Sequence, residues 1–415
     1  MNHKILLATI TSFSLVAATA QQTSRQAYAI TAATKGSFVW TEVKLIDLGS
    51  GEVVRSVYDN NKPTSFQLTN ARTGKPIAIK DPQGNVANVN QLPFNTFSAA
   101  CAYDKVHNQL FYTPMGINEL RVIKLGEKEA TIAYFEGEAF GLAKDLKDEA
   151  NHITRMAIAV DGQGYALSND GRHLLKFTTG RKPVITDLGS LIDDPANGDV
   201  SIHTKPASWG GDMIADALGN LYVISSSHYV FKVDISTRQA TFVKKINGIP
   251  AAFTTNGAAV VGDDKLIVSS ANSVEGYYEV DMNEWNAKLL PNNGNVYNAS
   301  DLANSQLAFE SKRNTTVPAF IARQRIGNDK IALFPNPATR NMFRVSFNTE
   351  PGRYDVQLVD LQGRLIQQKT VNVSYEGQVA EMPLSYKTTK GIYLVKIVDN
   401  TRKTVYADQL LVAAD

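Results

Sequence analysis

Disulfide chemistry is excluded at once, because the 415-residue chain holds a single cysteine, Cys101. A chain without disulfides must draw its stability from a packed core. Cys101 lies in the run Ser98-Ala99-Ala100-Cys101-Ala102-Tyr103, with no basic residue near in sequence to depress a thiol pKa. A buried structural thiol is expected there, not a nucleophile. Charge of one sign is missing as well. Lys plus Arg number 42 against 40 Asp plus Glu, a net charge of +2, and the charges are scattered. That excludes the strongly basic face of a nucleic-acid binder.

Long hydrophobic runs are confined to the N-terminus. Lys4 supplies positive charge, Ile5 to Ala18 form an apolar stretch, and Ala18-Thr19-Ala20 fits a small-x-small cleavage site. The pattern predicts an export signal over residues 1–20 and a mature chain beginning at Gln21. No later run approaches the roughly 20 apolar residues of a membrane span, so no transmembrane segment is expected in the mature chain.

Catalytic signatures are also absent: there is no Gly-x-Ser-x-Gly elbow, no Walker loop and no His-Glu-x-x-His pair. Gly162-Gln163-Gly164 lacks the third glycine of a dinucleotide loop and reads as a turn. Glu149-Ala150-Asn151-His152 has a Glu-x-x-His spacing once, where paired metal sites use it twice. Asp193 to Asp199 brushes against a calcium loop, but Pro195 and Thr204 stand at its third and twelfth positions. His3 leaves with the signal, and His107, His152, His173, His203 and His228 fall in different units. No metal and no cofactor is expected.

What the chain does have is repetition. Ile214 to Val223 and Ala159 to Leu167 each place an Asp three residues before a Gly, between two apolar strands. The Asp can bond the turn backbone while the Gly takes a positive φ. Looser copies run from Tyr103 to Tyr112 and from Val260 to Val268. A second motif, an Asp-led turn closing an alternating strand, recurs at Asp47, Asp234 and Asp281. Units repeat roughly every 40 to 60 residues with about four short strands each, the spacing of propeller blades. Blades are expected near 28–60, 97–135, 153–190, 209–247 and 252–290. Segment 61–96 is either a sixth, distorted blade or an insertion, and Tyr297 to Glu310 supplies a closing strand. One short helix is expected between Glu138 and His152.

From Ile331 the strands shorten and crowd. Phe343 to Phe347 alternates strictly, and Tyr354–Val359 and Leu365–Thr370 flank Gln362-Gly363, a hairpin turn. Pro335 and Pro337 suit an edge strand. About seven strands in this stretch predict an Ig-like antiparallel sandwich. The Pro335-Asn336-Pro337 opening, the Asp360-x-x-Gly363-Arg364 turn and the Gly391-x-Tyr393 strand appear in order. Together they resemble the type A C-terminal sorting domain of the type IX secretion system. The resemblance implies recognition by the secretion machinery, frequent removal of the tail, attachment of the cargo to surface lipopolysaccharide, and a secreted or cell-surface location reached through the periplasm.

The expected fold is therefore all-β. A signal peptide occupies 1–20, a β-propeller of about five to six blades 21–310, a linker 311–330 and the sorting domain 331–415. In a propeller the entry ends of the innermost strands converge on one mouth, and the candidate ligand-binding residues there are Arg155, Trp209, Asp212, Asn256 and Asp301. An aromatic plate with an Arg, two carboxylates and an amide suits a sugar or a peptide. The competing expectation is that Asp212 and Asp301 bond neighbouring strand ends and Trp209 fills a gap between blades. Three functions follow: a surface propeller binding a glycan or protein without catalysis, a glycan hydrolase or lyase using Asp212 and Asp301, or a structural component of the envelope.

Overall fold

The computed structural model describes residues 25–412, apart from 63–65, 79–91, 95–96, 118, 126–130, 141–146, 181–182, 292–293, 313–329, 340–341, 361–363, 386–387 and 390, and gives backbone only at 136–139 and 339. The export signal and most of the expected linker lie outside the described residues.

The repeats fold into five blades. The first holds β1 (Gln26–Thr31), β2 (Glu42–Asp47) and β3 (Val53–Tyr58). The second holds β4 (Gln67–Asn70), β5 (Ser98–Asp104), β6 (Gln109–Pro114), β7 (Glu119–Lys124) and β8 (Thr131–Ala139). The third is β9 (Ile153–Ile158), β10 (Gly164–Ser168), β11 (Leu174–Phe177) and β12 (Ile185–Asp187). The fourth is β13 (Ile192–Asp193), β14 (Asp212–Ala215), β15 (Asn220–Ile224), β16 (Tyr229–Asp234) and β17 (Gln239–Lys245). The fifth is β18 (Gly257–Val260), β19 (Lys265–Ser269), β20 (Tyr278–Asp281) and β21 (Asn286–Leu289). The closing strand β22 (Ala299–Ala303) returns to pair with β1 and becomes the innermost strand of the first blade. The ring is thereby stitched shut and its edge removed.

Segment 61–96 is an insertion. Its strand β4 runs parallel to β8 as the outermost strand of the second blade. Phe94 stacks on Tyr112 with centroids 4.5 Å apart, and Arg121 donates to the carbonyls of Leu92 and Pro93 at 2.8 and 2.9 Å. Of the helix expected between Glu138 and His152, residues 141–146 lie outside the described residues; β8 runs to Ala139, and Glu149–Asn151 makes one 3-10 turn capped by Asp148.

The two aspartate motifs fall on successive hairpins at one end of the ring. Asp161, Asp216 and Asp104 sit between first and second strands, and accept backbone N–H bonds from Gln163, from Leu218 and Asn220, and from Val106. Asp47, Asp234 and Asp281 do the same between third and fourth strands. Gly219 takes the positive φ that its spacing predicts, at 93°. Gly164 does not. It is glycine because a Cβ there would lie 2.0 Å from the Phe177 ring, and Gly162 makes the turn instead, with φ 73°.

Five apolar clusters fill the five gaps between neighbouring blades. Each blade therefore presents two packed faces, and the alternating strand pattern supplies both. The inner strands β22, β5, β9, β14 and β18 surround the axis in that order. Five blades leave a narrow axis, and small residues such as Ala102, Ala157, Ala215, Ala258 and Ala303 line it.

The tail has seven strands: β23 (Ile331–Thr339), β24 (Met342–Phe347), β25 (Gly352–Val359), β26 (Leu365–Val373), β27 (Gln378–Pro383), β28 (Gly391–Val398) and β29 (Thr404–Val412). They follow the order β26-β25-β28-β29-β23-β24-β27 in a sandwich-like sheet around its own core. β23 is not an edge strand as its prolines suggest. It pairs antiparallel with β24 up to Phe334 and parallel with β29 at Ala338. Pro335 and Pro337 fall at the crossing, where their missing N–H groups break neither ladder.

Candidate functional site

A polar plug closes the axis, and all five blades contribute to it. Gly210 and Gly211 carry the chain into β14 with positive φ, and a Cβ on Gly211 would meet the Ile224 carbonyl at 1.9 Å. That close approach sets Asp212 at the head of its strand. One Asp212 oxygen accepts from the Met213 N–H at 2.6 Å; the other accepts from Ala258 N–H at 2.6 Å and Leu302 N–H at 3.3 Å. Asp301, in the middle of β22, accepts the Cys101 thiol at 2.8 Å. Its second oxygen is buried with no hydrogen-bond partner.

Burial raises both acids. Asp212 is pushed up to about 8, opposed by its three backbone donors. Asp301 is raised well above the carboxylate range by burial and then by the neighbouring Asp212 charge. Burial and the Asp301 charge also raise the Cys101 thiol, which makes it an inert donor. Arg155 on β9 completes the plug. It donates to the Asn169 carbonyl at 2.8 Å and the Ser208 hydroxyl at 3.4 Å. Burial pulls its pKa down to about 9, with Asp170 and then Asp212 resisting.

Arg155, Asp212 and Asp301 are all buried. Towards the strand ends, beside Asn304 and Gln306, described residues enclose a cavity of about 20 Å³. That is room for a water or two, not a sugar. Trp209 and Asn256 stand apart from the plug, on the strand-entry face. Asn256 accepts from Thr254 Oγ1 at 2.5 Å and Ala271 N–H at 3.0 Å, so its carbonyl oxygen pins a corner. Trp209 is half-buried, with Lys205 Nζ 4.8 Å over its ring and its indole N–H unpaired.

Sequence reasoning missed an aromatic group on this same face. Phe38 is 56% exposed, Val39 48% and Phe97 41%, with Trp40 edge-on to Phe97 at 5.6 Å. The Ser98 N–H donates to the Trp40 carbonyl and ties the two loops together. The signal was the dense Phe38-Val39-Trp40 run in a loop without strand periodicity. The calcium-like loop is spent on the protein itself: Asp193 accepts from Ser201 and Ile202, and Asp194 from Ala196 and Thr241. Among the described residues no group of three or more His, Cys, Asp or Glu could hold a metal.

In the tail, Asp360 accepts from the Arg364 N–H and guanidinium at 2.9 and 2.7 Å, fixing their turn. Gly363 lies outside the described residues. The Tyr393 hydroxyl donates to the Thr389 carbonyl at 2.9 Å just before Gly391. Residues 332–412 match the family described as the secretion system C-terminal sorting domain. The tail is a type IX sorting domain. The protein is accordingly secreted or displayed at the cell surface, exported by way of the periplasm.

No curated protein matches the chain. Among solved structures it is similar to PorZ, a surface component of the type IX secretion system of Porphyromonas gingivalis, with 14% identity and a TM-score of 0.33. That match covers 90% of this chain and 56% of PorZ. A nidogen/laminin complex (10% identity, TM-score 0.34) and a Myxococcus xanthus glutaminyl cyclase (12%, 0.30) each match 67% of this chain, over 97% and 92% of their own. Likenesses this loose carry no inference about ligand or activity. Among the described residues no helix is long and apolar enough to cross a membrane.

Proposed function

We propose that the propeller is a surface-displayed binding module that engages a glycan or a protein over its strand-entry face without turning it over. The observation that carries this reading is the burial of both axial carboxyls beside an aromatic-rich face. The two carboxylates that a hydrolase or lyase would use are buried and held by backbone donors and the Cys101 thiol. Phe38, Phe97 and Trp209 offer flat apolar surface of the kind that stacks on sugar rings or anchors peptides. Under the same reading residues 1–20 are removed on export, and the cargo is attached to lipopolysaccharide once the tail is cleaved.

The test is a binding screen of the secreted protein against envelope glycans, host glycans and peptides, repeated with Phe38→Ala, Phe97→Ala and Trp209→Ala. Truncating a buried aromatic anchor weakens binding by about tenfold or more. A ligand whose affinity survives all three changes defeats the proposed face. Turnover of a glycan that is abolished by Asp212→Asn would restore the enzyme reading.

A further inference from the structure

The sorting tail contains a device that joins its two ends. β23 and β29 pair in parallel with Ala338 opposite Val412. That register places Asn336 opposite Leu410. In a parallel ladder a residue bonds through its own N–H and C=O to the carbonyl before, and the amide after, its opposite number. Asn336 makes this pair of bonds with its side chain. Its Nδ2 donates to the Gln409 carbonyl at 2.7 Å, and its Oδ1 accepts from the Leu411 N–H at 2.9 Å. The side-chain amide stands in for a peptide group where the chain, bracketed by two prolines, crosses between ladders. Leu410 and Val412, on either side of Leu411, are buried in the tail core.

We infer that Asn336 is a positioning residue for export. It clamps the end of the last strand to the first, so the secretion machinery reads the folded tail, with both ends in register, and not a linear C-terminal peptide. An Asn is required because only a side-chain amide offers a donor and an acceptor at this spacing. Ala offers neither, and Asp offers no donor.

The inference rests on the sorting role of the tail and is independent of the propeller's ligand. The experiment uses the full chain in a cell with an active type IX system and measures the fraction outside the cell. Asn336→Ala and Asn336→Asp are compared with Val371→Ala, or Val373→Ala where a larger loss is needed to match, which weaken the tail core away from this seam. Losing two hydrogen bonds is expected to speed hydrogen exchange at the Leu411 amide and to cut export, each by about tenfold. The core variants, matched for loss of tail stability, are expected to export normally. Normal export of Asn336→Ala overturns the inference. So does an equal fall in all the variants, since export would then track stability alone. Deleting 332–415 separates the premise: export of that truncated chain would remove the sorting role itself.

Discussion

At the scale of single residues, the axial plug makes stability depend on pH. In the folded chain Asp212 and Asp301 hold protons that unfolded aspartates release near pH 4, and Asp212 gives its proton up only near 8. The folded state therefore binds more protons than the unfolded one across this window. The contribution of the pair is full below pH 4 and is lost as pH rises towards and past 8, by at most about 1.4 kcal/mol per pH unit for one group. We expect the propeller melting temperature to fall between pH 5 and pH 8.5, and calorimetry at several pH values checks this. Asp301→Asn should flatten that decline, since an amide can donate to Asp212 and still accept from Cys101. Asp212→Asn should cost roughly 1–3 kcal/mol at every pH, because three backbone donors would compete for one amide oxygen. Both acids were legible in the sequence as candidates. Their role was not, because nothing local to Asp301 shows that Cys101, 200 positions earlier, points at it.

Among elements, the closing strand continues into a strap. Past β22, Asn304 donates to the Val260 carbonyl at 2.7 Å, and Ala308 exchanges backbone bonds with Ala215 and Ala217 at 3.0 and 2.8 Å. Phe309 then packs with Tyr222 and Trp285 in the gap between the last two blades. A chain ending at Ala303 should melt well below one ending at Lys312, whereas removing residues beyond 312 should leave the propeller transition in place. Thermal unfolding of the two truncations tests this. Gly211→Ala should destabilise the propeller by roughly 1–3 kcal/mol, as overpacking does, because its methyl would strike the Ile224 carbonyl. A closing strand between Tyr297 and Glu310 could be read from the pattern. The strap could not, since Gln306 to Phe309 has no strand period and is held by partners from two other blades.

For the whole molecule, the buried clusters divide cleanly among the described residues. One is built only from positions 331–412, and the other five only from positions 27–309. We expect two unfolding transitions in calorimetry, with the propeller's unchanged when 332–415 is removed. A single transition that shifts on deletion would mean the two cores are coupled.

Taken alone, the sequence determined the class of fold and the destination. Turn aspartates, alternating strands and the ordered tail motifs are local signals, and local hydrogen bonding enforces them wherever they occur. It also announced the repeats, because each blade must supply the same four strands. What only the tertiary structure decided was which candidate residues are buried and what they bond. Arg155, Asp212 and Asp301 are buried because five inner strands crowd one narrow axis. Trp209, Phe38 and Phe97 were left on the surface by where their loops landed. Asn336 found its place only because the last strand returns beside the first. Contacts of this kind are set by ring closure and packing between distant segments, which no window along the chain contains.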